Sequence, residues 1–274
     1  MNLMNEDQII ALVRETFDEV SPEYDNKALR FFSETAMHLT AYLDLCGNEQ
    51  VIDVATGTGN AALTIASALL GGRVTGVDFS TGMLNQARNK ASSMHLENVE
   101  FIEQDMRTIG FSPNRFDVAV CSFGIFFVND MDSQLLRIAR VVKSGGRVAI
   151  TSFAETQFHP LRDMMCDRLS TYGISQFPQA WKLVASDMGC RNLFERANLK
   201  DIRIESKNVG YYLDAAEDWW DIVWNAGFRR LVNQLSTDNL KRFKQEHLEE
   251  VDSLRTEHGI WLNAPVLLTI GTKR

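Results

Sequence analysis

Cysteine is scarce in this chain and shows no paired spacing. The 274 residues include four cysteines, which lie far apart at Cys46, Cys121, Cys166 and Cys190. A disulfide framework or a zinc site needs cysteines at short, regular separations. We therefore expect reduced and mostly buried thiols. The five histidines also lack the spacing of metal ligands, so the sequence predicts no metal site.

An excess of basic residues and a long apolar run are both missing. The 28 Lys and Arg are outnumbered by 36 Asp and Glu, which gives a net charge of −8. Nucleic acid is not expected as a partner, because phosphate contacts need a basic face. No apolar run approaches bilayer length, and the N-terminal stretch MNLMNEDQII has no basic region followed by an apolar core. We expect a cytoplasmic protein without stable membrane insertion, and its oligomeric state stays open, a homodimer included.

Two apolar, β-branched stretches organise the first half of the chain. Residues 51–60, VIDVATGTGN, lead from a strand through a small-residue loop into a helix. Residues 73–77 then form a second strand that ends at Asp78. Two parallel strands joined by one helix form a right-handed crossover unit, and ligands bind outside the carboxyl ends of such strands. We therefore expect the loop after Asp53 and the side chain of Asp78 to face one crevice.

The residue types in this crevice predict a ligand that contains a nucleoside. Gly57 and Gly59 allow a close approach of the backbone, and Asp78 is placed to accept hydrogen bonds from the hydroxyls of a ribose. The pattern from Gly57 to Ala62 also satisfies the relaxed dinucleotide motif, so NAD stays open at this point. Asp53 favours S-adenosylmethionine, because a carboxylate before the loop can balance the ammonium and sulfonium charges. Capping of the turn is the alternative role for Asp53.

Five motifs in order resemble those of Rossmann-like, S-adenosylmethionine-dependent methyltransferases, and the chain looks most similar to the ubiquinone/menaquinone-biosynthesis type. Together they fall within about residues 20 to 155. Two departures are conservative: Ala55 stands where many members have glycine, and Ser144 where many have proline. The motifs are Asp53-Val-Ala-Thr-Gly57-Thr-Gly59, Val77-Asp78-Phe79-Ser80, Gln104-Asp105-Met106, the segment Phe116 to Gly124, and Lys143-Ser-Gly-Gly-Arg147.

The resemblance implies a set of cofactor-binding residues at these motifs. Met83 would pack beside the adenine, and the carboxylate of Asp105 would accept a hydrogen bond from the exocyclic amine. Packing in the core for Met83 and capping of a loop for Asp105 are the alternatives. The predicted cofactor residues are Asp53, Ala55, Gly57, Thr58, Gly59, Asp78, Phe79, Met83, Asp105, Met106 and Ser122.

The motif order and the later strands predict an α/β fold. We expect a Rossmann-like sheet of seven strands, mostly parallel with an antiparallel last strand, and helices on both faces. Three regions are predicted: an N-terminal helical cap over 1–46, an S-adenosylmethionine-binding core over 47–155, and the remaining strands with a helical substrate lid over 156–274. The lid consists of the helices expected between about residues 214 and 257.

Two residues are predicted to act in catalysis. Tyr24 resembles the tyrosine of the tyrosine-aspartate signature near the start of many of these enzymes, which places it over the cofactor or the substrate. The alternative is an aromatic wedge with Asp25 as a helix cap. His159 follows a core strand on the crevice side, where it could act as a general base, and a plain loop histidine is its alternative.

Aromatic residues near the lid have two interpretations. Trp220 and Trp224 are four residues apart and share one helical face, so with Trp219 they either belong to the core or contact the substrate. The same choice stands for Phe126 and Phe127.

Three functions remain at this point. The first is a methyltransferase that acts by in-line displacement on a small-molecule acceptor, quinone-like, phenolic or otherwise aromatic or lipid-like. The second is a nicotinamide-dependent oxidoreductase. The third is a non-catalytic member that binds the cofactor and serves as a partner protein. Nothing in the motifs identifies the acceptor or the atom that receives the methyl group.

Overall fold

A seven-stranded sheet forms the centre of the protein. The computed structural model describes residues 6–175 and 179–274, and within these ranges the chain forms nine strands. They are β1 Gln50–Val54, β2 Arg73–Asp78, β3 Val99–Glu103, β4 Phe116–Ser122, β5 Val142–Phe153, β6 Leu199–Asn208, β7 Tyr211–Leu213, β8 Ile260–Leu262 and β9 Pro265–Lys273.

The strand order confirms the predicted fold class. The large sheet runs β3-β2-β1-β4-β5-β9-β6. Strands β1 to β5 are parallel to one another, whereas β9 is antiparallel to both β5 and β6. The order reverses beside β1, so the carboxyl ends of β1 and β4 lie where this class of sheet opens a crevice for ligands.

Helices cover both faces of the sheet because neighbouring residues in each strand point to opposite sides. On one face Val51 packs with α2 and α3, and on the other Ile52 and Val54 pack with α5 and α7. The helices are α1 Glu6–Val20, α2 Phe31–Tyr42, α3 Asn60–Ala68, α4 Thr81–Ser93, α5 Met131–Val141, α6 Leu161–Thr171, α7 Asp187–Arg196, α8 Ala216–Trp224, α9 Arg229–Val232 and α10 Thr237–Asp252.

The region predicted as two long lid helices is more divided than expected. The first predicted helix consists of α8 and the short α9, separated around Gly227, and the second ends at Asp252 rather than Glu257. The hairpin of β7 and β8 brackets these helices and was not predicted. Its strands are only three residues long, too short for an alternating pattern to stand out in the sequence.

The tryptophans of α8 lie in the core of this helical region. Trp219 is fully buried, and its indole N–H donates to Nε2 of His247 at 2.8 Å. Trp220 is also buried and stacks on Trp224 with ring centroids 5.8 Å apart. Pro178 lies outside the described residues. Within the described ranges, no helix combines the length and the apolar character needed to cross a bilayer.

Candidate active site

A left-handed turn connects β1 to α3. Ala55, Gly57 and Gly59 have φ values of 57°, 55° and 82°, and the backbone N–H of Thr56 donates to the carbonyl of Val77 on β2. Glycine adopts such angles without strain, whereas alanine does so at a cost. The tight turn therefore persists at Ala55 although the usual glycine is missing there.

Asp78 joins this turn to the end of β2. Its side chain is 6% exposed, and its oxygens accept hydrogen bonds from the backbone N–H of Gly57 at 2.8 Å and of Ser80 at 2.9 Å. Burial raises the pKa of Asp78 to about 6, although hydrogen bonds from backbone amides oppose that shift. Asp78 lines the cleft at the carboxyl ends of β1 and β2, the position that the sequence predicts.

Asp53 occupies a different position from the one expected for a direct ligand contact. It is fully buried and does not line the cleft. One oxygen accepts from the Thr56 hydroxyl at 2.6 Å and from the Ala62 backbone N–H at 3.1 Å, while its other oxygen has no hydrogen-bond partner. Burial raises the pKa of Asp53 to about 7. Asp53 therefore lies beneath the loop, apart from the cleft that Asp78 and Asp105 line.

Asp105 lies at the cleft but already has a partner. Its carboxylate pairs with the guanidinium of Arg107 at 2.7 Å and accepts from the backbone N–H of that residue at 2.8 Å. The neighbouring Gln104 also lines the cleft, and its side-chain oxygen is buried without a partner. Gln104 thus offers an acceptor that the sequence reasoning did not single out, since its motif drew attention to Asp105.

Most of the predicted cofactor residues line this first cavity. Gly59 is the other exception beside Asp53, because it packs under the loop, where an added Cβ would lie 3.1 Å from Ala87. An added Cβ on Gly57 would meet no atom within 4 Å, so the loop faces open space there. The predicted residues found in the lining are Tyr24, Ala55, Gly57, Thr58, Asp78, Phe79, Met83, Asp105, Met106 and Ser122.

Helix α1 covers the cleft, and one face of it contributes apolar side chains to the lining. Ile10, Val13 and Phe17 line the first cavity. Polar contacts attach the helix to β3 and to the start of α4. Arg14 pairs with Glu103 at 2.6 Å, and Asp18 accepts from Ser80 Oγ at 2.6 Å and from the Gly82 N–H at 2.9 Å.

Tyr24 stands between the first cavity and a second one. It lines both cavities and stacks on Phe32, with ring centroids 5.2 Å apart. Burial raises the pKa of Tyr24 well above its usual range, and the charges of Asp25 and Asp78 add to that shift. The hydroxyl therefore stays protonated near neutral pH and can donate a hydrogen bond, but it cannot act as a base there.

Asp25 fixes Tyr24 over the glycine loop instead of capping a helix. Its carboxylate accepts from Thr58 Oγ1 at 2.9 Å and from Asn60 Nδ2 at 3.1 Å, and it pairs with Lys90 at 2.8 Å. The cap of the following turn is Asn26, which accepts from the N–H of Ala28.

The second cavity is large and rich in aromatic side chains. It has a volume of about 730 Å³, which is within the usual range for small-molecule sites. The two cavities share Val13, Phe17, Tyr24, Phe32, Phe123, Phe127 and Val128. Further aromatic lining comes from Phe31, Phe126, Phe153, Phe158, Trp181 and Phe228.

Two of the aromatic residues in the second cavity have unusual backbones. Phe123 and Phe158 adopt φ values of 53° and 55°, a left-handed conformation that is rare for large side chains and is often found at functional sites. Phe126 and Phe127 face the cavity, whereas the three tryptophans of α8 do not line either cavity. Of the two interpretations left open for these residues, packing in the core fits the α8 tryptophans, whereas Phe126 and Phe127 belong to the cavity lining.

His159 is not brought to the cleft. Its side chain is 62% exposed, its Nδ1 lies 2.8 Å from the Asp163 carboxylate, and it lines neither cavity. The turn after β5 directs Phe158 inward and leaves His159 at the surface, so the structure does not support it as a general base.

The residues of the first cavity fit S-adenosylmethionine. Asp78 offers a carboxylate for ribose hydroxyls, Gln104 an unpaired acceptor, and Phe79, Met83 and Met106 apolar surface for a base. Beneath them, the unpartnered oxygen of Asp53 provides negative charge near the loop. In the described part of the chain, His, Cys, Asp and Glu side chains form no group of three that could hold a metal ion.

Comparisons with known proteins agree with this fit. A family model described as a methyltransferase domain matches residues 46–223. A demethylmenaquinone methyltransferase from Bacteroides fragilis is 31% identical over 180 residues, covering 64% of this chain and 72% of that protein. An aklanonic acid methyltransferase from a Streptomyces species is 30% identical over 203 residues, covering 73% and 91%.

Solved structures share the fold at low identity. The YcgJ protein of Bacillus subtilis is 18% identical with a TM-score of 0.60, over 88% of this chain and 99% of that chain. Phosphoethanolamine N-methyltransferase 2 of Haemonchus contortus, solved with S-adenosylmethionine, is 18% identical with a TM-score of 0.53, over 88% of this chain and 52% of that one.

The buried carboxylate of Asp53 gives a prediction that separates a functional role from turn capping. A folded-state pKa of about 7 exceeds the value of about 3.9 for an unfolded chain. Ionisation of Asp53 therefore lowers stability, fully above pH 7 and not at all below about pH 4. We expect Asp53→Asn to raise the free energy of unfolding at pH 8 by on the order of 2 kcal/mol, and by less at pH 5, in urea titrations.

Asp117 provides the matched control for this experiment. Against its partial burial, hydrogen bonds from Lys143 and the Gln50 N–H hold the pKa of Asp117 below its usual value. Asp117→Asn should therefore reduce stability at pH 8. Equal losses of stability in both variants would mean that Asp53 serves only as a cap of the turn.

Proposed function

We propose that the acceptor of this protein is a flat aromatic small molecule bound in the second cavity. The chain belongs to the methyltransferase-domain family and is an S-adenosylmethionine-dependent methyltransferase. The observation that carries the proposal is the aromatic lining that continues from the first cavity into the second through Phe17, Tyr24, Phe32 and Phe127. Aromatic side chains pack well on planar rings in stacked or edge-on arrangements.

The lining also supports a particular orientation of the acceptor. Phe32 stacks nearly parallel to Tyr24, with an angle of 15° between the rings, and packs edge-on against Phe123 at 71°. A flat ring that packs against this group of side chains would place one edge at the junction of the cavities. The relatives named for demethylmenaquinone and aklanonic acid agree with this class of acceptor.

The proposed roles of the residues follow from their positions. S-adenosylmethionine supplies, when bound, a methyl group on a positively charged sulfur. Asp78 and Gln104 hold the adenosyl portion, Met83 packs against its base, and Ser122 stays in place through its hydrogen bond with Thr151 at 2.8 Å. Alignment of donor and acceptor can supply roughly 7 to 11 kcal/mol of the barrier, so the main task of the protein is to orient the acceptor and exclude water.

Tyr24 is proposed to contact the acceptor directly. Its hydroxyl makes no hydrogen bond within the described residues, lies at the junction, and remains protonated. It can donate to an oxygen of the acceptor and fix the ring in position. The cap over 1–46 and the region over 156–274 are in this view the two sides of the acceptor site, attached to the cofactor-binding core over 47–155.

Turnover of a compound panel tests the proposed acceptor class. We expect release of S-adenosylhomocysteine with hydroxynaphthalenes, hydroxyquinones or polycyclic phenols, and none above background with aliphatic amines or alcohols of similar size. The measurement is coupled detection of S-adenosylhomocysteine under saturating donor. Turnover of aliphatic compounds alone would contradict the aromatic assignment, and binding of donor without turnover of any compound would favour a non-catalytic role.

The two catalytic candidates from the sequence are tested as a pair. Tyr24→Phe retains the ring stack and removes the hydroxyl, so we expect kcat to fall by roughly tenfold to a hundredfold, as the loss of one hydrogen bond in a buried site implies. His159→Ala should leave kcat unchanged because His159 is exposed and away from both cavities. Steady-state kinetics with the best compound of the panel provide the measurement, and a loss with His159→Ala alone would reverse the assignment.

A further inference from the structure

The second cavity carries more positive than negative charge. The charged residues of its lining are three cations, Arg162, Lys182 and Arg230, and one anion, Asp163. The whole chain has the opposite balance, with a net charge of −8. An excess of cations in a cavity of an acidic protein indicates that the ligand of this cavity is negatively charged.

Two of these cations already have partners. Arg162 pairs with Asp163 at 3.1 Å and lies 5.0 Å from the ring of Trp181. Lys182 is exposed to solvent and lies 6.0 Å from the same ring. Neither is a buried charge that still needs compensation.

Arg230 differs from both of them. It is half-buried on α9, and its guanidinium makes no hydrogen bond or ion pair within the described residues. Burial lowers its pKa with no compensating carboxylate. A desolvated charge without a partner is costly, so a structure that keeps one in a cavity gains most when an anion enters.

The preceding residue shows what a paired arginine looks like on the same helix. Arg229 forms an ion pair with Glu19 and stacks on Trp224 at 4.1 Å from the ring centroid. It lines neither cavity. Arg229 thus has an acidic partner, whereas Arg230 on the same helix lines the cavity and has none within the described residues.

An unpaired acceptor lies in the same lining. The side-chain oxygen of Gln157 is buried and has no partner, and Gln157 lines the second cavity. A buried acceptor of this kind matches a hydroxyl or N–H on the ligand. Arg230 and Gln157 together offer a cationic donor and a neutral acceptor in a site rich in aromatic side chains.

We infer that the acceptor is an aromatic acid, whose carboxylate is bound by Arg230 while another atom of the molecule receives the methyl group. The inference rests on the proposed aromatic acceptor and adds its charge. The planar guanidinium fork matches a carboxylate with two parallel hydrogen bonds. Arg230 lines the second cavity only, away from the residues shared with the first, so the anion is held apart from the place of methyl transfer.

Matched ligands test the inference by isothermal titration in the presence of saturating S-adenosylhomocysteine. The probes are 3-hydroxy-2-naphthoate, its carboxamide, 2-naphthol and 2-naphthyl phosphate. We expect the naphthoate to bind wild-type protein at least tenfold more tightly than the carboxamide. Arg230→Met should remove that preference and leave carboxamide affinity within about twofold, and Arg230→Lys should restore part of it.

Lys182→Met is the control, because it removes a cation of the same cavity that is exposed to solvent. It should retain the preference for the naphthoate. Unchanged affinity for S-adenosylhomocysteine in every variant shows that each protein is folded.

Three results would overturn the inference. They are equal naphthoate affinity in wild type and Arg230→Met, an equal loss in Lys182→Met, and tighter binding of the naphthyl phosphate than of the naphthoate. Failure of the underlying proposal looks different: none of the four probes would bind although S-adenosylhomocysteine does.

Discussion

The hydrogen bonds of Asp78 are the interaction on which the rest of the site depends. One carboxylate receives the N–H of Gly57 and the N–H of Ser80, so the loop after β1 and the start of α4 are held against the end of β2. Asp78 lines the cleft, and burial raises the pKa of Asp78 to about 6. The geometry of the donor site and its acidity therefore come from the same side chain, and α1 closes over it through Asp18 and Ser80.

The two cavities arise from different parts of the fold. The first lies at the carboxyl edge of β1 to β4, a place that parallel sheets of this kind provide for ligands. The second is enclosed by segments that pack on that edge: the helices before β1, the turns after β4 and β5, and the region around α9. Family membership thus establishes the donor, whereas the second cavity, the proposed acceptor site, is formed by segments that pack on the edge of the sheet.

Much of the fold and the donor site could be predicted from the sequence because the signals are local. The turn after Asp53 and the strand that ends at Asp78 each occupy a few consecutive residues, and their spacing determines where they meet. Asp53 shows the limit of this reasoning, since its bonds to Thr56 and Ala62 place it beneath the loop rather than at the ligand. The glycine pattern alone also left NAD open, and the family comparison excludes that alternative.

The second cavity could not be predicted because its residues meet only through tertiary packing. Phe31, Phe153 and Phe228 come from distant segments, and nothing in their local sequence distinguishes them from core residues. For the tryptophans of α8 the sequence left core packing and substrate contact open, and the hydrogen bond that the buried His247 accepts from Trp219 places them in the core. His159 follows β5, as the sequence predicts. The adjacent Phe158 lines the second cavity, whereas the side chain of His159 is exposed.

Titration of S-adenosylhomocysteine into wild-type protein and Asp78→Asn by calorimetry measures how much the Asp78 carboxylate contributes to binding of the adenosyl group. We expect the variant to stay folded and to lose affinity by roughly tenfold to a hundredfold, because charge-assisted hydrogen bonds to the ligand are weakened. Unchanged affinity in a folded Asp78→Asn protein would contradict the role of Asp78 in donor binding, because the adenosyl group would then bind without the carboxylate that organises the cleft.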